Sequence, residues 1–264
     1  MFTTNHFIWL AISVILIVVS TILIKKFKPS FKLIFTIACI ACALSETIKM
    51  FSVIEFDYIG QELVPYIRNQ HLPLHLCSIQ IAFIVAVRFM NPNSKVRTAL
   101  LGFMYPTFII GASLALLMPS IFSNSVPVEE AFIRPLAYQF FLYHSLLIIL
   151  GIYIMTSKEF NIHPKHYLTT IMILGLLALS SLYLNSIFGH MTYDLATDTF
   201  DLLYNPNFFF TAKSPLPGLI FTKPWHWYLY LLVIIFIAFF TIALFYLPIF
   251  IRYFKSKKQM SKAN

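Results

Sequence analysis

The run Leu72-Pro73-Leu74-His75-Leu76-Cys77-Ser78 sets a thiol and an imidazole close behind a proline. Proline is tolerated at a first helical position, where the N–H it lacks would have no partner, so a helix is predicted to open at Pro73. The unpaired N–H groups of a first turn carry partial positive charge and favour a thiolate at Cys77. The alternative is a small buried cysteine that serves only as an apolar side chain. His75 is poorly placed to serve as its base. Two residues on an ideal helix are about 200° apart, so the side chains of His75 and Cys77 point to opposite faces. His75 shares its face with Ser78, which suits either the holding of a substrate head group or the bracing of the fold. A base for Cys77 must then come from another segment, and His144 is the candidate, with Glu46 to orient its ring. Gln139 and Asn185 are amides that can serve an oxyanion.

The elements that carry these groups are legible in the composition. Of 264 residues, 59% are hydrophobic and only 11% charged, and 28 are Phe and 14 Tyr. A soluble domain has about 25% charged residues, so this chain has too little polar surface to cover a water-facing globule. Disorder is excluded because so many aromatics must be buried, and three cysteines cannot staple a disulfide scaffold of this length. The fold class expected is an all-α membrane protein, a seven-transmembrane-helix bundle. Its apolar runs lie at 7–24, 31–53, 72–90, 98–118, 136–155, 168–188 and 228–251, each near the length of about 17–25 residues that crosses a bilayer. They form a single polytopic membrane domain over 1–264.

The net charge of +9 lies in short clusters between those runs, which points to topology and away from nucleic acid. Connections on one side, with the tail, carry fourteen Lys and Arg, and those on the other side carry four. The bias predicts a cytoplasmic C-terminus and an N-terminus outside. Lys25, Lys26 and Lys28 follow the first apolar run, so it reads as a span and not as a cleaved signal. The connection 189–227 is long and aromatic, with Pro206, Pro215, Pro217 and Pro224 among Phe208, Phe209, Phe210, Trp225 and Trp227. It is read as an external loop, either an interfacial belt or a lid over an outward-facing cavity.

Ionisable groups inside a bilayer are costly and commonly face a cavity or each other. At about 1.5 Å per residue, Cys77 lies roughly 6 Å from Pro73 and His144 roughly 13 Å from Pro135. Glu46 and Asn185 lie roughly 10 and 5 Å below the outer ends of their runs. Four spans thus put costly groups in the outer half of a membrane about 30 Å thick. His71 and His75 have the i, i+4 spacing of a metal pair, to which Cys77 or His144 would add a ligand. Pro73 between them and the absence of HExxH argue against it, so neither metal nor soluble cofactor is expected. Cys39 and Cys42 form C-x-x-C inside an apolar run and read as packing residues.

The motif around His75 and Cys77 resembles the signature of YwaF-type bacterial integral membrane proteins. Ser45-Glu46, Gly111, Met118-Pro119, Gln139-Phe-Phe-Leu-Tyr-His144, Asn207-Phe-Phe-Phe and Pro224-Trp225-His226-Trp227-Tyr228 follow in the order of that family. The chain departs from its Asn-Tyr-Met-like run by Phe-Phe and from its Pro-Trp-Pro-Trp-Tyr run by His226. That family is similar to the eukaryotic transmembrane protein 164 acyltransferases, which use a cysteine in the corresponding motif. The resemblance implies acyl-thioester chemistry at Cys77 in a multi-pass protein of a bacterial cell membrane. It also implies membrane lipids as partners and substrate contacts at Asn207, Trp225 and Trp227. A transporter, or a proton or substrate relay through Glu46, His75 and His144, is the competing reading.

Overall fold

The computed structural model describes residues 3–119, 121–124, 126–157, 159, 162–194, 199–204, 206–214, 219 and 221–263. Of the expected external loop, residues 195–198, 205, 215–218 (with Pro215 and Pro217) and 220 lie outside the described residues.

The chain is predominantly helical. Helices α1 (Thr4–Phe27), α2 (Phe31–Val53), α3 (Leu76–Phe89), α4 (Lys95–Leu117), α5 (Ile121–Asn124), α6 (Pro135–Thr156), α7 (Lys165–Phe188) and α8 (Pro224–Ala263) follow in order. Among the described residues, six helices are long and apolar enough to cross a membrane: α1, α2, α4, α6, α7 and, over Pro224–Lys255, α8. The chain is therefore a multi-pass membrane protein. The segment expected as a full span at 72–90 forms a helix of only 14 residues, about 21 Å long. Leu72 precedes Pro73 and is extended (φ −57, ψ 146), as the clash with the proline ring requires. The helix opens at Leu76, three residues after Pro73 and not on it.

Capping residues set the other ends. The Thr3 hydroxyl accepts from the N–H of His6 (3.4 Å), that of Ser30 from Leu33 (3.3 Å) and that of Ser94 from Arg97 (3.5 Å), each satisfying one N–H that a first turn leaves open. Pro135 occupies the first turn of α6, the place where a missing N–H costs nothing.

The structure forms two compact units. The first spans 1–54 and 77–162, and α6 is its axis, packed by α1, α2 and α4. Most side chains of α6 from Leu136 to Ile154 are buried, with Tyr138 and Leu142 left exposed on one stripe, the pattern of a helix largely enclosed by protein. At Gly151 the helix comes so close to α4 that a Cβ would sit 2.6 Å from Ile109 Cγ1 and 3.2 Å from the Tyr105 carbonyl. Small residues at such crossings let helices associate in a membrane, where apolar lipid removes the usual hydrophobic drive. On α1, Trp9 lies between the rings of Phe132 (5.3 Å) and Phe141 (4.9 Å) and donates to the Ala131 carbonyl (3.3 Å). At the other end Arg97 covers Phe31 (4.1 Å) and donates to the carbonyls of Val87 and Pro92 (both 3.3 Å). Arg88, at the end of α3, donates to Thr36 (2.6 Å).

The second unit spans 55–76 and 163–264. Where only loops were expected, two two-stranded ribbons occur among the described residues, so the chain is not purely α-helical. Strands β1 (Ile54–Ile59) and β2 (Glu62–Ile67) turn at Gly60, whose φ of +66 favours glycine. Strands β3 (His190–Asp194) and β4 (Thr199–Tyr204) pair antiparallel, Thr192 with Asp201 and Tyr193 with Phe200. Helices α7 and α8 meet through Thr170 and the Tyr246 hydroxyl (3.1 Å).

Candidate functional site

Because α3 opens at Leu76, Cys77 sits in its first turn, closer to the helix start than a helix from Pro73 would put it. Its thiol is free and half-buried. The 200° separation belongs to a helix running through His75, and His75 precedes α3. Its Nε2 lies 3.3 Å from the Gln70 carbonyl, and its ring meets Phe208 edge-on at 5.0 Å. His71 lies in a 3-10 turn, so the metal-like helical spacing of His71 and His75 is not realised. Among the described residues no group of three or more His, Cys, Asp and Glu side chains is placed to hold a metal ion. Ser78 is half-buried on α3.

Helix α6 brings the first unit's polar groups together. His144 is buried, and its Nδ1 lies 2.7 Å from the Phe140 carbonyl. A carbonyl oxygen only accepts, so Nδ1 carries the proton and the neutral ring presents its lone pair at Nε2. That is the tautomer of a general base. One residue earlier, the Tyr143 hydroxyl donates to the carbonyl of Cys77 at 2.6 Å, which fixes α3 against α6 at the level of the thiol. One turn before that, Gln139 donates to Ser45 of α2 at 2.8 Å. Adjacent turns of one buried helix therefore hold α2 and α3.

Glu46 is placed differently from the expected triad. Its carboxylate pairs with Lys49 at 3.2 Å, the two side chains being 26% and 14% exposed, so the charges neutralise each other one turn apart. The Phe140 carbonyl occupies the ring nitrogen that a triad carboxylate would hold. Orientation of the imidazole thus comes from the backbone of its own helix.

Two residues of this layer carried no site role in the sequence reading. Tyr143 is one, since an aromatic in an apolar helix gives no sign of its partner. Gln80 is the other: it is 1% exposed, and its amide donates to Thr107 at 2.8 Å. The Thr107 hydroxyl spends its proton on the Phe103 carbonyl (2.7 Å), so it can only accept from Gln80. This fixes the amide orientation and leaves Gln80 Oε1 buried without a donor among the described residues.

The remaining candidates lie in the second unit and are occupied with holding one loop. Asn185 accepts from the Phe208 N–H (2.8 Å) and donates to the Phe208 carbonyl (3.2 Å) and to Thr211 (2.9 Å). Both its donors and its oxygen are engaged, which leaves no N–H for an oxyanion. Asn207 accepts from the N–H groups of Ala212 (3.1 Å) and Lys213 (3.0 Å) and donates to the Lys213 carbonyl (2.8 Å). Trp227 donates to the Thr211 carbonyl at 2.9 Å. These bonds hold Phe209 and Phe210 in the left-handed region (φ 57 and 56), a conformation that persists only where surrounding contacts over-determine it. Trp225 is 57% exposed and meets His226 edge-on. The structure thus places Cys77, His144, Glu46, Gln139 and Ser78 in the first unit, and His75, Asn185, Asn207, Trp225 and Trp227 in the second.

Comparison with known proteins yields one family: the model of the TMEM164 family matches residues 1–244. No curated protein and no solved structure matches the chain.

Proposed function

Because the chain belongs to the TMEM164 family, we propose that it is a membrane-embedded lipid acyltransferase with Cys77 as nucleophile and His144 as base. The observation that carries this reading is the state of His144. Its Nδ1 proton is committed to the Phe140 carbonyl at 2.7 Å, on the same turn of α6 whose Tyr143 holds the Cys77 carbonyl at 2.6 Å. In the first half-reaction His144 Nε2 takes the Cys77 thiol proton as sulfur attacks an ester carbonyl of a phospholipid. The C–O bond breaks, the lysolipid oxygen leaves with that proton, and the acyl group remains as a thioester. In the second half-reaction Nε2 deprotonates an acceptor hydroxyl, which attacks the thioester carbonyl. The C–S bond breaks and the thiolate recovers its proton from the imidazolium. Gln139 and the first-turn N–H groups of α3 are the donors suited to the oxyanion. The Glu46–Lys49 pair supplies a compensated charge on α2, and Ser78 belongs to substrate positioning. The reaction needs no soluble cofactor, and both of its substrates reach the protein from the membrane.

In this reading α3 is the seventh, short crossing of a bundle with its N-terminus outside, and the resemblance to YwaF-type proteins supports a bacterial cell membrane. A relay through Glu46 and His144 is the competing reading. One experiment separates them. Purified protein in vesicles with a labelled-acyl phospholipid should acquire label that hydroxylamine releases; Cys77→Ala should acquire none, and His144→Ala should lose turnover. If Cys77→Ala transfers acyl groups at the wild-type rate, the nucleophile assignment fails and the relay reading replaces it.

A further inference from the structure

The ribbon β1–β2 has two chemically opposite faces. Side chains alternate along a strand, and Glu55 sets the register of the faces: it accepts from the Tyr66 hydroxyl (2.6 Å) and from Arg68 (2.9 Å). Glu55, Asp57, Glu62 and Arg68 therefore share one face, which holds every charge of the hairpin. The other face carries Ile54, Phe56, Tyr58, Leu63, Pro65 and Ile67. It is not a core face, for Phe56 is 60%, Tyr58 70% and Leu63 54% exposed. An apolar face of this kind is not left in water without a function.

We propose that this ribbon lies flat in the membrane interface, its apolar face set among lipid head groups and upper acyl chains and its charged face in water. Three features select lipid as the occupant. The chain passes from Val53 of α2 to Ile54 of β1 with no intervening loop, so the root of the ribbon is the end of a membrane-spanning helix. The exposed apolar side chains of that helix, such as Leu44, Ile48 and Phe51, continue in sequence into Ile54 and Phe56. A two-stranded sheet also leaves unpaired N–H and C=O groups along both edges. Hydrocarbon cannot accommodate those, whereas the interface supplies water and head groups to satisfy them. Aromatic residues with a polar tip, as at Tyr58, favour that depth. The charge separation, three carboxylates and one guanidinium opposite a face with none, fits a boundary between water and lipid and not a protein groove. The ribbon then fixes the chain at head-group depth a few residues before α3 and Cys77. This inference stands whether or not Cys77 is a nucleophile.

The test is a photocrosslinking scan. p-Benzoylphenylalanine is placed in turn at Phe56, Asp57 and Tyr58 of the full chain in phosphatidylcholine–phosphatidylglycerol vesicles, and illumination is followed by mass spectrometry. Lipid adducts are expected at 56 and 58 and at least about fivefold less at 57, following the two-residue alternation of a strand. The exposed positions chosen leave the fold undisturbed, and elution of each variant as the wild type checks this. Equal lipid adducts at all three positions, none at 56 and 58, or crosslinks there to a second copy of the chain would each overturn the proposal.

Discussion

Replacing Tyr143 by Phe removes one oxygen atom and no apolar surface, so it isolates the bond by which α6 holds the first turn of α3. That bond is 2.6 Å long and its donor residue is buried. The Cys77 carbonyl, near the start of a helix, keeps its acceptor role within α3, so the loss leaves no orphaned group and costs only the net value of one hydrogen bond. Such bonds are worth about 0.5–1.5 kcal/mol in proteins generally and average about 0.6 kcal/mol between membrane helices. Tyr143→Phe is therefore expected to lower stability by about 1 kcal/mol. If the whole of that is felt as misplacement of the thiol, acyl transfer falls about fivefold. The assay pairs reversible unfolding in mixed micelles with the rate of thioester formation from a labelled phospholipid. A variant that matches the wild type in both would refute the claim that this contact positions Cys77. A loss beyond about a hundredfold would refute it in the other direction, since one positioning hydrogen bond cannot supply so much, and would make the hydroxyl a participant in the chemistry.

Gly151→Ala should destabilise the first unit by about 1–3 kcal/mol, the usual cost of overpacking, because its Cβ would meet Ile109 at 2.6 Å. Gly175→Ala, with nothing within 4 Å of the new carbon, should be neutral or slightly stabilising in the same unfolding assay. In the ribbon, the Tyr66 hydroxyl and then the Arg68 guanidinium hold the Glu55 carboxyl below the usual glutamate range. A lowered folded-state value means that this contribution is complete above about pH 4.3 and is lost as pH falls through the folded value. Amide protection in β1–β2, taken relative to the intrinsic exchange rate at each pH, should accordingly fall in acid, and Glu55→Gln should remove the dependence. A reporter fused after Asn264 should score as cytoplasmic and one inserted near Asn124 as external; both on one side would end the seven-span arrangement.

Whatever follows from burial against lipid was legible in the sequence. Hydropathy over about twenty residues located α1, α2, α4, α6, α7 and α8, and Thr3, Ser30, Ser94 and Pro135 mark helix starts by local chemistry alone. The hairpin at Gly60 was legible too, in the Ile, Phe, Tyr and Val of 54–67 around a glycine, but a composition this apolar made every connection read as a loop. The start of α3 was not legible: an extended residue before proline also precedes α6, which opens on Pro135, so nothing local to Leu72 and Pro73 delays α3 to Leu76. Contacts between distant residues were decided only by the tertiary structure. Nothing in the chain announces that Tyr143 finds the carbonyl of Cys77 or that Gln139 finds Ser45, 66 and 94 residues away. Nor does it announce that Asn185 spends all its hydrogen bonds on the loop at Phe208. Glu46, read as the partner of His144, pairs instead with Lys49, one turn along the same helix, which costs no helix–helix alignment. A sequence states which groups must be satisfied in a membrane, because the cost of leaving them unsatisfied is intrinsic to each group. Which partner satisfies them depends on how buried helices cross, and crossings such as that of α4 and α6 at Gly151 are set by the shapes of both partners at once.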